Sequence, residues 1–267
     1  MAKPNLTDHD ISILAKIKDP EATTNPRVKV DSTLQSDPNV TGDEYESAKT
    51  LELDAIRKVA KKDKFGLPLE PSAEDTEILL RYLSALVERY PKYASARNNR
   101  VQAIRTIHGD DLLIAPKSSG GDQSDVIKRK EAAGLALDDL ATGIRLLTAS
   151  SMEMPISPRS AQTLANLHTQ KATILNITSK LLSKSPPNST TSLIIPVIER
   201  SNNGTEAELK TANDFADQVH LEFQLGAWYG NELAEKMVTA TNPMAKLCGE
   251  IVSGAMRKEI EGLSGGT

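Results

Sequence analysis

Apolar positions recur three and four apart in block after block of this chain, and polar stretches rich in Pro, Gly, Ser and Asn separate the blocks. That spacing stacks side chains on one face of a helix. It predicts helices over 44–62, 76–89, 94–107, 126–147, 160–183, 207–229 and 232–238, and a last one from Asn242 onward. Tyr90-Pro91 closes one helix and His108-Gly109-Asp110 another, while Asn242-Pro243 opens the last with a cap and a first-turn proline. Ile11, Leu14 and Ile17 mark a further short helix, capped at Asp8 or Asp10 and ended by Asp19-Pro20. Residues 21–42 read as flexible, being polar and dotted with Pro, Asp and Thr. Residues 111–124 and 184–206 read as insertions. Inside the second, Leu193–Ile198 is apolar and β-branched like a strand but has no second strand to pair with, so a loop packed under the helices is expected.

Three helices share a finer stripe, a large residue followed three positions later by a small one: Ile78–Tyr82–Ala85, Ala136–Leu140–Gly143 and, more loosely, Val219–Phe223–Gly226. The small residue lets a neighbouring backbone approach and the large one fills the gap. A helix pair repeated with such a stripe is the signature of an α-solenoid of the tetratricopeptide (TPR) type, with a period of about 34 residues. The expected fold is all-α. Three helix-turn-helix repeats and a C-terminal capping helix occupy 43–263, behind an arm of residues 1–42 and before a tail at 264–267. Met244, Leu247, Ile251 and Met256 give the capping helix its inward face.

Composition narrows the function. The 267 residues carry 36 acidic and 32 basic side chains, a net charge of −4, whereas a nucleic-acid-binding domain is strongly basic. The one cysteine, Cys248, cannot form an intramolecular disulfide, which suits a reducing compartment. The start lacks the apolar run of a signal peptide, and no stretch approaches the roughly 18 apolar residues of a membrane span. A cytoplasmic protein without membrane partners is expected. Lys128-Arg129-Lys130 is a weak nuclear import signal and reads better as exposed surface. The histidines, His9, His108, His168 and His220, are scattered, with no metal-binding spacing. Gly120-Gly121 lacks the Lys and Ser/Thr of a phosphate loop, and Cys248 sits on an apolar face with no base in sight. Neither an enzyme nor a cofactor is expected. The chain reads as a surface for a protein partner.

The residues then become more specific. The run Ala94-Ser-Ala96-Arg-Asn98-Asn99-Arg100-Val-Gln102-Ala103 resembles a repeat opening of the tetratricopeptide repeat protein 36 family. Ala136-Leu137-Asp138-Asp139-Leu140 is similar to that family's following helix. Gly230, Leu233-Ala234 and Asn242-Pro243-Met-Ala245-Lys-Leu247-Cys248 match its ending in order and spacing. The Ser47-Ala48-Lys49 to Glu52-Leu53 opening fits too, so the resemblance covers 44–256 outside the two insertions. It implies an adaptor or co-chaperone-like role with links to tyrosine metabolism and to cilium-related processes.

Some TPR domains grip a chaperone's C-terminal carboxylate with converging Lys, Arg and Asn donors. By the resemblance those positions fall on Glu52, Ile56, Asn99, Asn166 and Gln170, of which Asn99 alone fits. A chaperone partner would therefore need another mode. The expected peptide groove uses Glu52, Ile56, Arg97, Asn98, Asn99, Asn166 and Gln170. Arg97, Arg100 and Arg105 read as a solvated face paired with the acids of neighbouring helices in preference to an acidic-peptide site. A rival reading makes the chain a structural subunit that uses Trp228, Leu193–Ile198 or the Cys248 helix as interface.

Overall fold

The computed structural model describes residues 28–62, 65, 68–69, 71–115, 123–148, 154–185, 191–200 and 206–242. Among them are seven helices: α1 (Gly42–Val59), α2 (Ala73–Arg89), α3 (Ala94–His108), α4 (Gln123–Leu147), α5 (Pro158–Ser183), α6 (Ala212–Trp228) and α7 (Glu232–Ala240). Strand β1 (Lys61–Lys62) pairs antiparallel with β2 (Pro68–Leu69), and β3 (Val197–Arg200) with β4 (Glu206–Leu209). The bulk is all-α. The expected N-terminal helix, the helix from Asn242 onward and Cys248 lie outside the described residues.

Local chemistry sets the helix starts. Ser72 with Asp75, and Thr211 with Asp214, form reciprocal capping boxes at α2 and α6. Ser157 caps α5, whose first residue is Pro158, and Asn231 caps α7. Between α6 and α7 the chain reverses at Gly230, whose φ of +99° suits glycine.

Each helix packs on the next in sequence, and α3 also reaches α5. The main core joins α3 through α7, around Ile104, Leu140, Leu167, Leu175, Phe215 and Phe223. A second cluster joins Val40, just before α1, to α1, α2 and α3 through Ala48, Leu83, Leu86, Tyr90, Tyr93 and Ala96. Two of the three expected stripes are buried. Gly143 brings α4 against Leu167, and Gly226 brings α6 against Thr169 and Ala165 of α5. The stripe on α2 is a correction. Tyr82 and Ala85 are exposed, and Leu83, Leu86 and Val87 one position on face the core in their place. Tyr82 instead carries Lys58 over its ring, 4.5 Å from the centroid. On α1 the buried face is Ala48, Glu52, Ala55 and Val59, and Leu51 is exposed.

The second correction concerns the insertions. Leu193–Ile198 does find strand partners: Val197 pairs with Leu209 in the β3–β4 hairpin, and both are buried in the main core. The two stretches read as separate insertions meet each other. Ile114 bridges Leu193, Ile194 N–H donates to Leu113 O at 2.9 Å, and Ala115 N–H donates to Ser192 O at 2.8 Å. Leu112 and Leu113 are fully buried. The hairpin also takes the start of the helix expected over 207–229, which begins at Ala212.

The third correction concerns the arm. From Val28 to Thr41 the chain crosses the body. Val30 bridges Ile156, Asn39 Nδ2 donates to Leu146 O at 2.7 Å, and the buried Asp37 carboxylate accepts backbone N–H groups of Asn39, Val40 and Ala94. Asp37 thereby serves the start of α3, where Tyr93 offers no side-chain cap.

Candidate functional site

The expected groove residues sit on α1, α3 and α5, and the structure gathers four of them into one network. Glu52 of α1 is buried and accepts from Tyr93 Oη at 2.7 Å, Ser95 Oγ at 3.1 Å and Asn99 Nδ2 at 2.8 Å. Burial, then the Glu52 charge, pushes the Tyr93 hydroxyl above its ordinary pKa. Asn98 Nδ2 donates to Asn99 Oδ1, and Gln170 Nε2 of α5 donates to Asn98 O and Oδ1. Arg105 reaches both Gln170 Oε1 and Asp110. These side chains zip α1, α3 and α5 together, so most are spent within the molecule and do not line an open groove. Ile56 is half-buried and outside the network.

Arg97 and Arg100 converge on Asp139 of α4, which is fully buried. Arg100 holds it in a fork at 2.6 and 2.7 Å, and Arg97 Nη1 adds 2.7 Å while its other nitrogens donate to Pro91 O. The arginines pair with neighbouring acids as expected, but on a largely buried face and not a solvated one. Of the basic run, Lys128 and Lys130 are exposed as expected, while Arg129 is spent on His108 O, Asp111 O and Ile114 O.

Sequence reasoning missed a second charged cluster. Glu222 of α6 accepts from His168 Nδ1 at 2.6 Å, Lys171 Nζ at 2.8 Å and Gln218 Nε2 at 2.9 Å. Lys171 also holds Glu199 of β3 at 2.7 Å. Burial pushes the Glu222 carboxyl up, but Lys171 and His168 override it and hold the pKa at about 2. Burial raises Glu199, with Lys171 opposing. Behind His168 the Tyr229 ring stacks at 5.7 Å. Gln218 and Glu222 one turn apart gave no signal, because their partners lie on another helix and on a hairpin the sequence did not reveal.

Two cavities open at the start of α5. One, about 430 Å³, lies between α5 and the α6–α7 turn and is lined by Val30, Ala161, Gln162, Asn166, Tyr229 and Asn231. Asn166 is the expected groove residue that reaches it. Its Oδ1 accepts from Asn231 Nδ2 at 3.2 Å. The other, about 470 Å³, lies between the crossing segment, the end of α4 and the start of α5. Among the described residues no group of three or more His, Cys, Asp or Glu side chains is placed to hold a metal, and no helix is long and apolar enough to cross a membrane.

No known family profile matches the chain, and no solved structure does. A curated protein does: the L-tyrosine degradation gene cluster protein hmgX of Aspergillus fumigatus is 30% identical over 268 residues, covering 98% of this chain and 96% of that protein.

Proposed function

The chain belongs to the family of the L-tyrosine degradation gene cluster protein hmgX, and from that premise we propose that it is a non-enzymatic, TPR-type adaptor of L-tyrosine degradation. The observation that carries the reading is the succession of helices, each packed on the next, with the first helices of successive pairs (α1, α3 and α5) zipped side by side by Glu52, Asn99, Asn98 and Gln170. Such a spine presents a continuous surface to an extended or helical segment of a partner. Its motifs at Ala94–Ala103 and Ala136–Leu140 resemble the tetratricopeptide repeat protein 36 family, and a co-chaperone-like action in the cytoplasm accords with that resemblance. The binding face is the open stretch of α5 around Gln162 and Asn166. A carboxylate clamp is not part of the proposal, since Glu52 and Gln170 stand where cationic donors would.

The test is affinity purification from cells grown on L-tyrosine, comparing the wild type with a Gln162→Ala, Asn166→Ala variant. Both positions line the cavity, and neither belongs to the buried networks of Glu52, Asp139 or Glu222. The expected result is an enzyme of L-tyrosine degradation retained by the wild type and depleted by the variant. Absence of such a partner, or turnover of a tyrosine-derived intermediate by the purified protein alone, would overturn the reading.

A further inference from the structure

The 470 Å³ cavity has the size of a small-molecule site. Its apolar lining is Leu34 and Pro38 from the crossing segment, Leu146 and Leu147 from α4, and Met154, Pro155 and Ile156 before α5. Among the described residues that line it none is charged, although a quarter of the chain is charged. Its polar members are turned to other tasks. Asn39 Nδ2 is spent on Leu146 O. Ser157 and Ser160 bond Ser36 O and each other, and Thr148 Oγ1 bonds Ile144 O. The exposed carboxamide of Gln35 is the polar lining group left with no partner among the described residues. Leu34 and Met154, 41% and 53% exposed, leave the mouth open and apolar.

We propose that this cavity binds a free, neutral aromatic molecule with one hydroxyl or N–H group. The wall chemistry selects it. A thioether favours an aromatic ring, and the two proline rings offer flat surfaces to its faces. One spare carboxamide suits one polar substituent. Among the described residues the wall offers no opposite charge to a carboxylate or ammonium, and the one spare carboxamide is a neutral partner, so charged analogues bind more weakly. The site does not depend on the adaptor role, because it lies on another side of the α5 start from Gln162 and Asn166.

The experiment uses the full chain labelled at its methionine methyl groups and titrated with p-cresol. The Met154 methyl signal is expected to shift and saturate, while Met237 on α7 stays still. Tyramine and 4-hydroxyphenylacetate should bind about tenfold or more weakly, the cost of desolvating an unpaired charge. Leu34→Glu, a change at an exposed position, should abolish the Met154 response while leaving the fold intact. No saturable shift at Met154, an equal shift at Met237, or equal binding of the charged analogues would overturn the assignment. Tighter binding of N-acetyl-tyrosinamide than of p-cresol would overturn it in favour of a partner's tyrosine side chain. None of these outcomes alters the retention result for the Gln162, Asn166 variant, so the two readings fail separately.

Discussion

Glu222 sits in the interior with a lysine, a histidine and a carboxamide aimed at it, and its charge is what makes them compatible. Removing the charge leaves Lys171 with Glu199 alone and His168 without its partner. Breaking a buried pair in this way costs on the order of 3 kcal/mol. Glu222→Gln should therefore lower the urea midpoint clearly, at neutral pH, in a denaturation curve. The pH dependence has a definite sign. The Glu222 pKa drops on folding from its ordinary 4.5 to about 2, so its contribution is complete above about 4.5 and is lost as pH falls toward 2. Glu199, raised by burial, works the other way and offsets part of the loss. Between pH 6 and pH 3 the wild type should lose more stability than Glu222→Gln, and parallel curves for the two would refute this. Of the residues that the resemblance placed on first helices, Glu52, Asn98, Asn99 and Gln170 meet in one network, while Arg97 turns to Asp139. Their role was misread, because burial and pairing are properties of neighbours that spacing does not encode.

At the scale of elements, the close approaches of α5 decide how much side chain each contact tolerates. A methyl group at Gly226 would lie 2.7 Å from Thr169 Oγ1, 3.0 Å from Ala234 Cβ and 3.4 Å from Ala165 O, all on packed helices. At Gly143 it would meet only the ends of Leu167, at 3.0 and 3.2 Å, which can turn aside. Gly226→Ala is expected to cost about 1–3 kcal/mol, as overpacking does, and Gly143→Ala less. Thermal melts of both variants check the order. Helices were legible from periodicity because their apolar faces repeat within the element, and both glycine contacts follow from that pattern. The α2 face was misjudged because its run of Leu79, Leu80, Leu83, Leu86 and Val87 supports two faces, and α3 and the crossing segment select one. The β3–β4 hairpin was missed because Glu206–Leu209 carries no strand signature of its own. Its pairing rests on Val197 and Leu209 sharing the core.

At the scale of the molecule, a stack whose helices touch only their neighbours can fray from either end, one unit at a time. Segment 28–41 removes that freedom. Val28 N–H reaches Trp228 O, Ser157 and Ser160 hold Ser36 O, Asp37 serves Ala94, and Asn39 holds Leu146. Apart from Asp37 with Ala94, these contacts join residues more than a hundred positions apart, such as Asn39 and Leu146, with a separation of 107. Unfolding should consequently be all-or-none. The fluorescence of Trp228 on α6 and the far-ultraviolet helical signal should trace one urea transition. Removing residues 1–41 should pull the two traces apart, and should speed refolding, since distant closures slow it. One extended crossing, with hardly any secondary structure of its own, turns a row of units into a single cooperative body.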